Sequence, residues 1–227
     1  MTLSSLKILT EENANLLKIG FSDGSSLYIK DFYLNYYIRN YRPQISHESS
    51  WEKYAAMEIG AEISAGDEEA FRFTASCYRA EHAGIRLIAR AEQTRTGLSF
   101  KLEAKGHDRN HVMAVMDWFV QTNLVNDERY AERWLRSRSS RKSGKINGPR
   151  RLSAALGSKG INRDDLKNAF EKILDEEAEY SLLERFLVKN RKEKFSGAYN
   201  LKGYLRYEGF TSTVINRYLE ESAGEQT

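Results

Sequence analysis

The stretch Leu98-Ser99-Phe100-Lys101-Leu102-Glu103-Ala104-Lys105-Gly106 contains a pattern, Leu-x3-Leu-x3-Gly, that the chain repeats at residues 152–160 and 201–209. Leucines four residues apart form an apolar stripe along one face of a helix. Glycine ends a helix at low cost because it accepts the left-handed backbone conformation. Each glycine is therefore expected to join two helices, and the spacing of about fifty residues indicates an internal repeat.

The residues after each glycine support this interpretation. A residue type that caps helices stands two positions after the glycine, and an apolar residue follows four positions later: Asp108 and Val112, Asn162 and Leu166, Thr211 and Ile215. Ile161 and Phe210 precede their caps and suit a hydrophobic staple, whereas the first copy has His107 at that position. The pattern predicts three helical corners, of which the first departs from the other two.

A further helical pattern precedes each corner, so each repeat is expected to contain three helices. In the third repeat, for example, Leu182, Leu183, Phe186 and Leu187 recur at helical spacing. Units of this length cannot bury their own apolar faces, and neighbouring units therefore stack into an elongated array with a long surface. A compact helical bundle without such a surface is the alternative.

The amino-terminal residues follow a different pattern. Leu17, Ile19 and Phe21 alternate with other residues, and Leu27 and Ile29 alternate after a Ser-Asp-Gly-Ser turn, which is typical of a β-hairpin. Aromatic residues at three- and four-residue steps between positions 32 and 41 then favour a helix. We interpret these rings as core, with a platform for stacking bases as the alternative.

The fold class predicted from these patterns is mainly α, an elongated array of three tandem three-helix repeats with a small amino-terminal β-hairpin and helix extension. An acidic block from Glu58 to Glu69 contains Gly, Ala and Ser and predicts a domain boundary. We expect the extension at residues 1–66 and the three repeats at residues 67–124, 125–174 and 175–227, with the second repeat basic.

The composition limits which covalent links, metal sites and membrane segments the protein can contain. Cys77 is the only cysteine among 227 residues, which excludes an intramolecular disulfide and a cysteine-based zinc cluster within one chain. The amino terminus lacks the apolar core of a signal peptide, and no stretch reaches transmembrane length. We therefore expect a cytoplasmic protein that does not contact membranes.

Charge is concentrated in the second repeat. Residues 133–163 include ten basic side chains and no acidic one: Arg133, Arg136, Arg138, Arg141, Lys142, Lys145, Arg150, Arg151, Lys159 and Arg163. Such a block repels itself unless an anionic partner is present, so we expect it to bind DNA or an acidic protein groove. The alternative is a solvated face whose charge pairs with the acidic stretch from Asp164 to Glu179.

No motif in the sequence indicates catalysis. Gly144-Lys145-Ile146 lacks the upstream glycine and the following Ser or Thr of a phosphate-binding loop. His107 and His111 lie one helical turn apart, but no Glu between them completes a metalloprotease pattern. We therefore expect no catalytic residues, no metal site and no cofactor, and we predict that the protein is not an enzyme.

The chain resembles the RecX regulatory proteins in the run Leu124-Val125-Asn126-Asp127-Glu128-Arg129-Tyr130-Ala131-Glu132-Arg133-Trp134, in Gly148-Pro149-Arg150-Arg151-Leu152 and in Leu156-Gly157-Ser158-Lys159-Gly160-Ile161. The resemblance is strongest in this second repeat. It extends through residues 87–90 and 98–106 on one side and 204–210 on the other, and so covers about Ile85 to Leu219.

This resemblance implies a modulator of the recombinase RecA whose three units lie along the groove of the RecA filament on DNA. Family members mainly inhibit ATP hydrolysis, strand exchange and the co-protease activity that induces the SOS response, and so act in DNA repair and homologous recombination. The implied partners are the RecA filament and single- or double-stranded DNA, contacted directly or through the filament. We expect the protein to be a monomer.

The resemblance carries over a binding surface at Arg133, Arg136, Arg150, Arg151 and Lys159, and the other five basic residues join it on charge alone. The alternative function is a stand-alone helical DNA-binding protein that acts without RecA. A nucleic-acid enzyme is a third possibility, although no metal-chelating or nucleophilic constellation supports it.

Overall fold

The computed structural model describes residues 1–11, 14–43, 50–140, 145–190 and 198–224. Its contacts divide the chain into two compact units, Met1–Val125 and Asn126–Thr227. Among the described residues, no helix combines the length and the apolar character that crossing a bilayer requires. The predicted fold class is confirmed in its mainly α content, its helical repeats and its small amino-terminal β structure.

The first unit begins with an antiparallel sheet of three strands in the order β1 (Leu3–Glu11), β2 (Ala14–Phe21) and β3 (Ser26–Lys30). Five helices follow, namely α1 (Asp31–Tyr41), α2 (Ser50–Ala55), α3 (Ala65–Ile88), α4 (Arg95–Glu103) and α5 (Arg109–Gln121). The predicted hairpin is confirmed by β2 and β3, whose turn places Gly24 at a φ of 84°. Strand β1 was not predicted, because its apolar residues Leu3 and Leu6 are three positions apart, where the strand register shifts between Leu3 and Ser5.

A buried polar cluster ties the sheet to the helices of the first unit. The Glu81 carboxylate on α3 accepts hydrogen bonds from Lys30 Nζ at 2.7 Å, the Tyr33 hydroxyl at 2.9 Å and Trp118 Nε1 at 3.0 Å. These four residues come from β3, α1, α3 and α5, and the Lys30–Glu81 ion pair is almost completely buried. A buried charge needs such partners because leaving it unpaired costs several kcal/mol.

The predicted segments 1–66 and 67–124 thus share one hydrophobic core, which extends from Leu3 to Val125. The acidic block from Glu58 to Glu69 includes the start of α3, where Ser64 caps the helix through the Asp67 N–H. The division into four segments remains a prediction.

The second unit contains six described helices, α6 (Asp127–Ser139), α7 (Pro149–Gly157), α8 (Arg163–Ile173), α9 (Glu176–Asn190), α10 (Ala198–Tyr207) and α11 (Ser212–Gly224). Their apolar faces form a second core that includes Leu135, Leu156, Leu183 and Leu205. This order matches two successive units of three helices.

The three glycine corners form as the sequence predicts. Gly106, Gly160 and Gly209 have φ angles of 86°, 85° and 91°, in the left-handed region that favours glycine. At the first and third corners, the N–H of the residue after the glycine bonds to the carbonyl of the leucine five residues earlier. His107 donates to Leu102, and Phe210 donates to Leu205. These bonds define Schellman motifs, which satisfy carbonyl groups at the helix end.

The caps after the glycines differ between corners. Asp108 and Asn162 accept hydrogen bonds from the N–H groups of Asn110 and Asp165, as expected for helix caps. At the third corner, both the N–H and the hydroxyl of Thr211 donate to the Glu179 carboxylate, at 2.7 and 2.9 Å. Glu179 is buried, so it does not belong to the acidic surface expected between Asp164 and Glu179.

A matched pair of glycines tests the second corner. Gly160→Ala is expected to destabilise the protein by about 1–2 kcal/mol, because a Cβ atom is disfavoured at positive φ. Gly157→Ala, three residues earlier at the end of α7 and with open space at its Cβ position, is expected to be neutral or stabilising. Urea unfolding of both variants measures the difference. Equal unfolding midpoints would contradict the corner assignment.

Candidate partner-binding surface

The structure places the described members of the predicted basic surface in the second unit. Arg133, Arg136 and Arg138 lie on α6, Lys145 precedes α7, Arg150 and Arg151 begin α7, Lys159 lies at the second corner, and Arg163 begins α8. Arg141 and Lys142 lie outside the described residues. The set therefore comes from several elements, and the structure gives its members different surroundings.

Arg150 and Arg163 line one groove, which we call the second-unit groove. It has a volume of about 390 Å³ and is lined by Pro149, Arg150, Ser153, Arg163, Leu166, Lys167, Phe170 and Gly209. The lining combines three apolar residues and three cations with one serine and one glycine. The groove therefore suits a partner that carries both negative charge and apolar groups.

Lys167 is a groove cation that the sequence analysis missed. It lies beyond the uninterrupted basic run, among the acidic residues of α8, and its Nζ is 3.8 Å from Glu171 Oε1. Both side chains are largely exposed, so this pair contributes little to stability. Its position one turn after Arg163 on the same helix was the signal that could have identified it.

The start of α7 packs directly against the third corner. The Arg150 N–H donates to the Glu208 carbonyl at 2.9 Å, which satisfies one of the free N–H groups at the helix start. A Cβ atom on Gly148 would lie 2.8 Å from the Glu208 carbonyl oxygen, and one on Gly209 would lie 2.7 Å from the Arg150 nitrogen. The two backbones approach this closely only because glycine stands at both positions.

This contact orients Arg150 at the edge of the second-unit groove. Its guanidinium lies 4.2 Å from the centroid of the exposed Tyr207 ring, at a distance typical of a cation–π interaction. Arg150 is exposed and retains hydrogen-bond donors in a planar arrangement that matches phosphate and carboxylate groups. Tyr207 was not among the predicted residues.

Arg151 has a structural partner that the sequence did not reveal. Its Nε atom lies 3.3 Å from Oε2 of Glu208, whose side chain is only 2% exposed. Among the described residues, this oxygen is the one buried side-chain nitrogen or oxygen that forms no hydrogen bond. The nearby charge of Arg151 therefore offsets part of the free-energy cost of burying it. Burial and the nearby Glu208 charge raise the pKa of Tyr204. Arg151 therefore has a structural role besides the binding role that the sequence predicts.

Helix α6 carries the remaining arginines and is held against α8 by ion pairs. Lys172 donates to both Glu128 and Glu132, the latter at 3.0 Å, and these hydrogen bonds raise the pKa of Lys172. Arg138 lies 5.2 Å from the Trp134 ring centroid. Arg133, Arg136 and Arg138 are not among the residues that line the second-unit groove, whose lining comes from residues 149–209.

The fold and this groove define a protein of three-helix repeats with a basic, partly apolar surface. A family model described as RecX, second three-helix domain, matches residues 126–169, which include α6, α7 and the groove cations of α8. A protein named Regulatory protein RecX from Treponema pallidum (strain Nichols) is 30% identical over 148 residues, which are 65% of this chain and 87% of the relative.

Another Regulatory protein RecX, from Mycobacterium sp. (strain KMS), is 34% identical over 153 residues, covering 63% of this chain and 81% of the relative. A crystal structure of regulatory protein RecX has the same fold, with a TM-score of 0.61 at 15% identity, over 95% of this chain and 97% of the other. The chain belongs to the RecX family, as its resemblance in the second repeat predicted.

Adjacent arginines on α7 are expected to respond differently to truncation. Arg151→Ala leaves the buried Glu208 carboxylate without its cation and is expected to cost about 1–3 kcal/mol. Arg150→Ala removes an exposed cation–π contact and is expected to cost at most about 1 kcal/mol. Thermal unfolding of the two variants at neutral pH measures the difference. A larger loss from Arg150→Ala would contradict the assigned roles.

Proposed function

We propose that the protein is a non-enzymatic regulator that binds the RecA filament on DNA and inhibits its ATPase, strand-exchange and co-protease activities. Two observations support this proposal. The chain belongs to a family whose members are named regulatory proteins, and its second unit presents a groove with three cations beside apolar side chains. The groove is the observation on which the proposal chiefly depends.

The groove offers chemistry that suits a filament of protein and DNA. Such a partner presents phosphates together with acidic and apolar protein surface. Arginines bind carboxylates and phosphates with paired hydrogen bonds, and Lys167 adds a mobile point charge. The partly exposed apolar side chains of Leu166 and Phe170 bury area on contact, which adds affinity that does not depend on salt.

The repeats provide a physical route to inhibition at low stoichiometry. Successive three-helix units that contact successive subunits of a filament gain effective concentration from each added contact. A regulator that prefers one state of the filament shifts the population toward that state by mass action. This role requires binding surfaces rather than an active site, and we place it in the cytoplasm with the protein as a monomer.

The second candidate is a stand-alone DNA-binding protein. The arrangement of α7, the second corner and α8, with Arg163 in the first turn of α8, favours it because helix-turn-helix proteins present such a helix start to DNA. It predicts tight binding to free DNA with a steep salt dependence. The RecA regulator instead predicts effects on a preformed filament at protein concentrations that bind little free DNA.

The test is RecA-catalysed, single-stranded-DNA-dependent ATP hydrolysis, titrated with substoichiometric amounts of the protein. We expect progressive inhibition by the wild type and at least about tenfold weaker inhibition by Arg150→Glu/Arg163→Glu, because two groove charges are reversed. Lys189→Glu/Arg206→Glu changes the net charge equally at exposed positions of the second unit and is expected to inhibit like the wild type.

Two outcomes separate the possibilities. Hydrolysis that stays unaffected while the protein binds DNA would favour the stand-alone DNA-binding protein. Equal loss of inhibition in both double variants would show that overall charge, and not the groove, governs the effect.

A further inference from the structure

The first unit contains a second basic groove, which no sequence pattern had indicated. This first-unit groove has a volume of about 330 Å³ and lies where the end of α3 meets the first corner, lined by Ala83, Arg86, Leu87, Arg90, Lys105 and His107. Its polar side chains are three cations and a histidine, and its lining includes no carboxylate.

Helix α3 supplies Arg79 and Arg86, and Arg90 lies in the turn that directly follows the end of the helix at Ile88. All three arginines are exposed and lie on nearly the same side, because steps of seven and four residues return to one face of a helical path; Arg79 extends the row beyond the groove lining. At 1.5 Å per residue, this row extends over about 16 Å. Leu87 and the small residue Ala83 lie beside it, so the groove lacks the larger apolar surface of the second-unit groove.

The charges of this groove are not neutralised within the described part of the chain. Arg86, Arg90 and Lys105 form no ion pair with any described residue, whereas Arg72 on α3 pairs with Glu68 at 2.7 Å. The surroundings of His107 reflect this excess of positive charge. Burial, followed by the charges of Arg79, Lys105 and Arg86, lowers the pKa of its imidazole.

His107 is also the position at which the first corner departs from the repeat. The equivalent residues of the other corners, Ile161 and Phe210, are apolar and buried, as a hydrophobic staple requires. His107 is half-buried and lines the groove instead. The first corner thus exchanges a packing residue for a polar one beside a row of cations, an arrangement that an anion would stabilise.

We propose that the first-unit groove binds the phosphate backbone of single-stranded DNA. A row of three arginines about 16 Å long, none of which forms an ion pair with a described acidic residue, matches a linear polyanion better than a single compact anion. An acidic peptide is the less favoured occupant, because the groove offers few apolar side chains to anchor it. This site lies in the unit that does not contain the second-unit groove, and its binding does not require RecA.

The test is fluorescence anisotropy of a labelled thirty-nucleotide oligo(dT), titrated with the full chain in the absence of RecA. We expect Arg86→Glu/Arg90→Glu to raise Kd at least about tenfold at low salt. The control Arg39→Glu/Arg72→Glu reverses two exposed charges of the same unit and is expected to change Kd by less than about twofold. Circular dichroism verifies that each variant is folded.

A milder variant measures the number of phosphate contacts. Arg86→Gln/Arg90→Gln is expected to reduce the slope of log Kd against log salt by about 1.4, because each of the two lost phosphate contacts on a single strand contributes about 0.7. An unchanged Kd and slope, or an equal loss in the control, would overturn the proposal. If the protein binds poly-L-glutamate more tightly than oligo(dT), and the same variants weaken that binding, the groove is assigned to an acidic protein instead. The assay contains no RecA, so its result is separate from that of the ATPase test.

Discussion

The left-handed backbone at Gly106, Gly160 and Gly209 is the constraint on which the helical repeats depend. Each glycine ends one helix and turns the chain so that the next helix packs on the same leucine stripe, and Leu102, Leu156 and Leu205 are completely buried as a result. A residue with a Cβ atom resists this conformation, so the corner is encoded in one position. Once the corners are set, the buried apolar residues of the helices pack into the core of their own unit.

Within the second unit, the backbone at Gly148 lies close to Glu208 and that at Gly209 lies close to Arg150, and these contacts join the second repeat to the third. Arg151 is drawn to the buried Glu208, whereas its neighbour Arg150 lies over Tyr207 at the groove. A basic sequence run is therefore not a uniform surface, because some of its cations satisfy buried carboxylates. In the first unit, the buried Glu81 cluster has the corresponding role of tying a sheet to three helices.

The corners, the caps at Asp108 and Asn162, and the hairpin were predictable because each follows from local rules of spacing and backbone conformation. Long-range contacts were not: Glu179 binds Thr211 across 32 residues, and Glu81 binds Lys30 across 51. Candidate sites were likewise predictable only where their residues are close together in sequence. Arg150 and Arg163 belonged to a visible charge run. The arginines from Arg79 to Arg90 are separated in sequence and form a row only because α3 and the turn after it bring them to one side.

Two grooves lie in separate units, one with cations beside larger apolar side chains and one with three cations, a histidine and little apolar surface. Both suit a regulator that contacts the protein and the DNA of a filament. The most direct measurement is site-specific photocrosslinking with a benzophenone amino acid at Ser153, which lines the second-unit groove, and at Ser181, which is exposed on α9. With a RecA filament on single-stranded DNA, a crosslink to RecA from position 153 and none from position 181 is the predicted result. A crosslink from position 181 alone would contradict the proposal that the second-unit groove binds the filament.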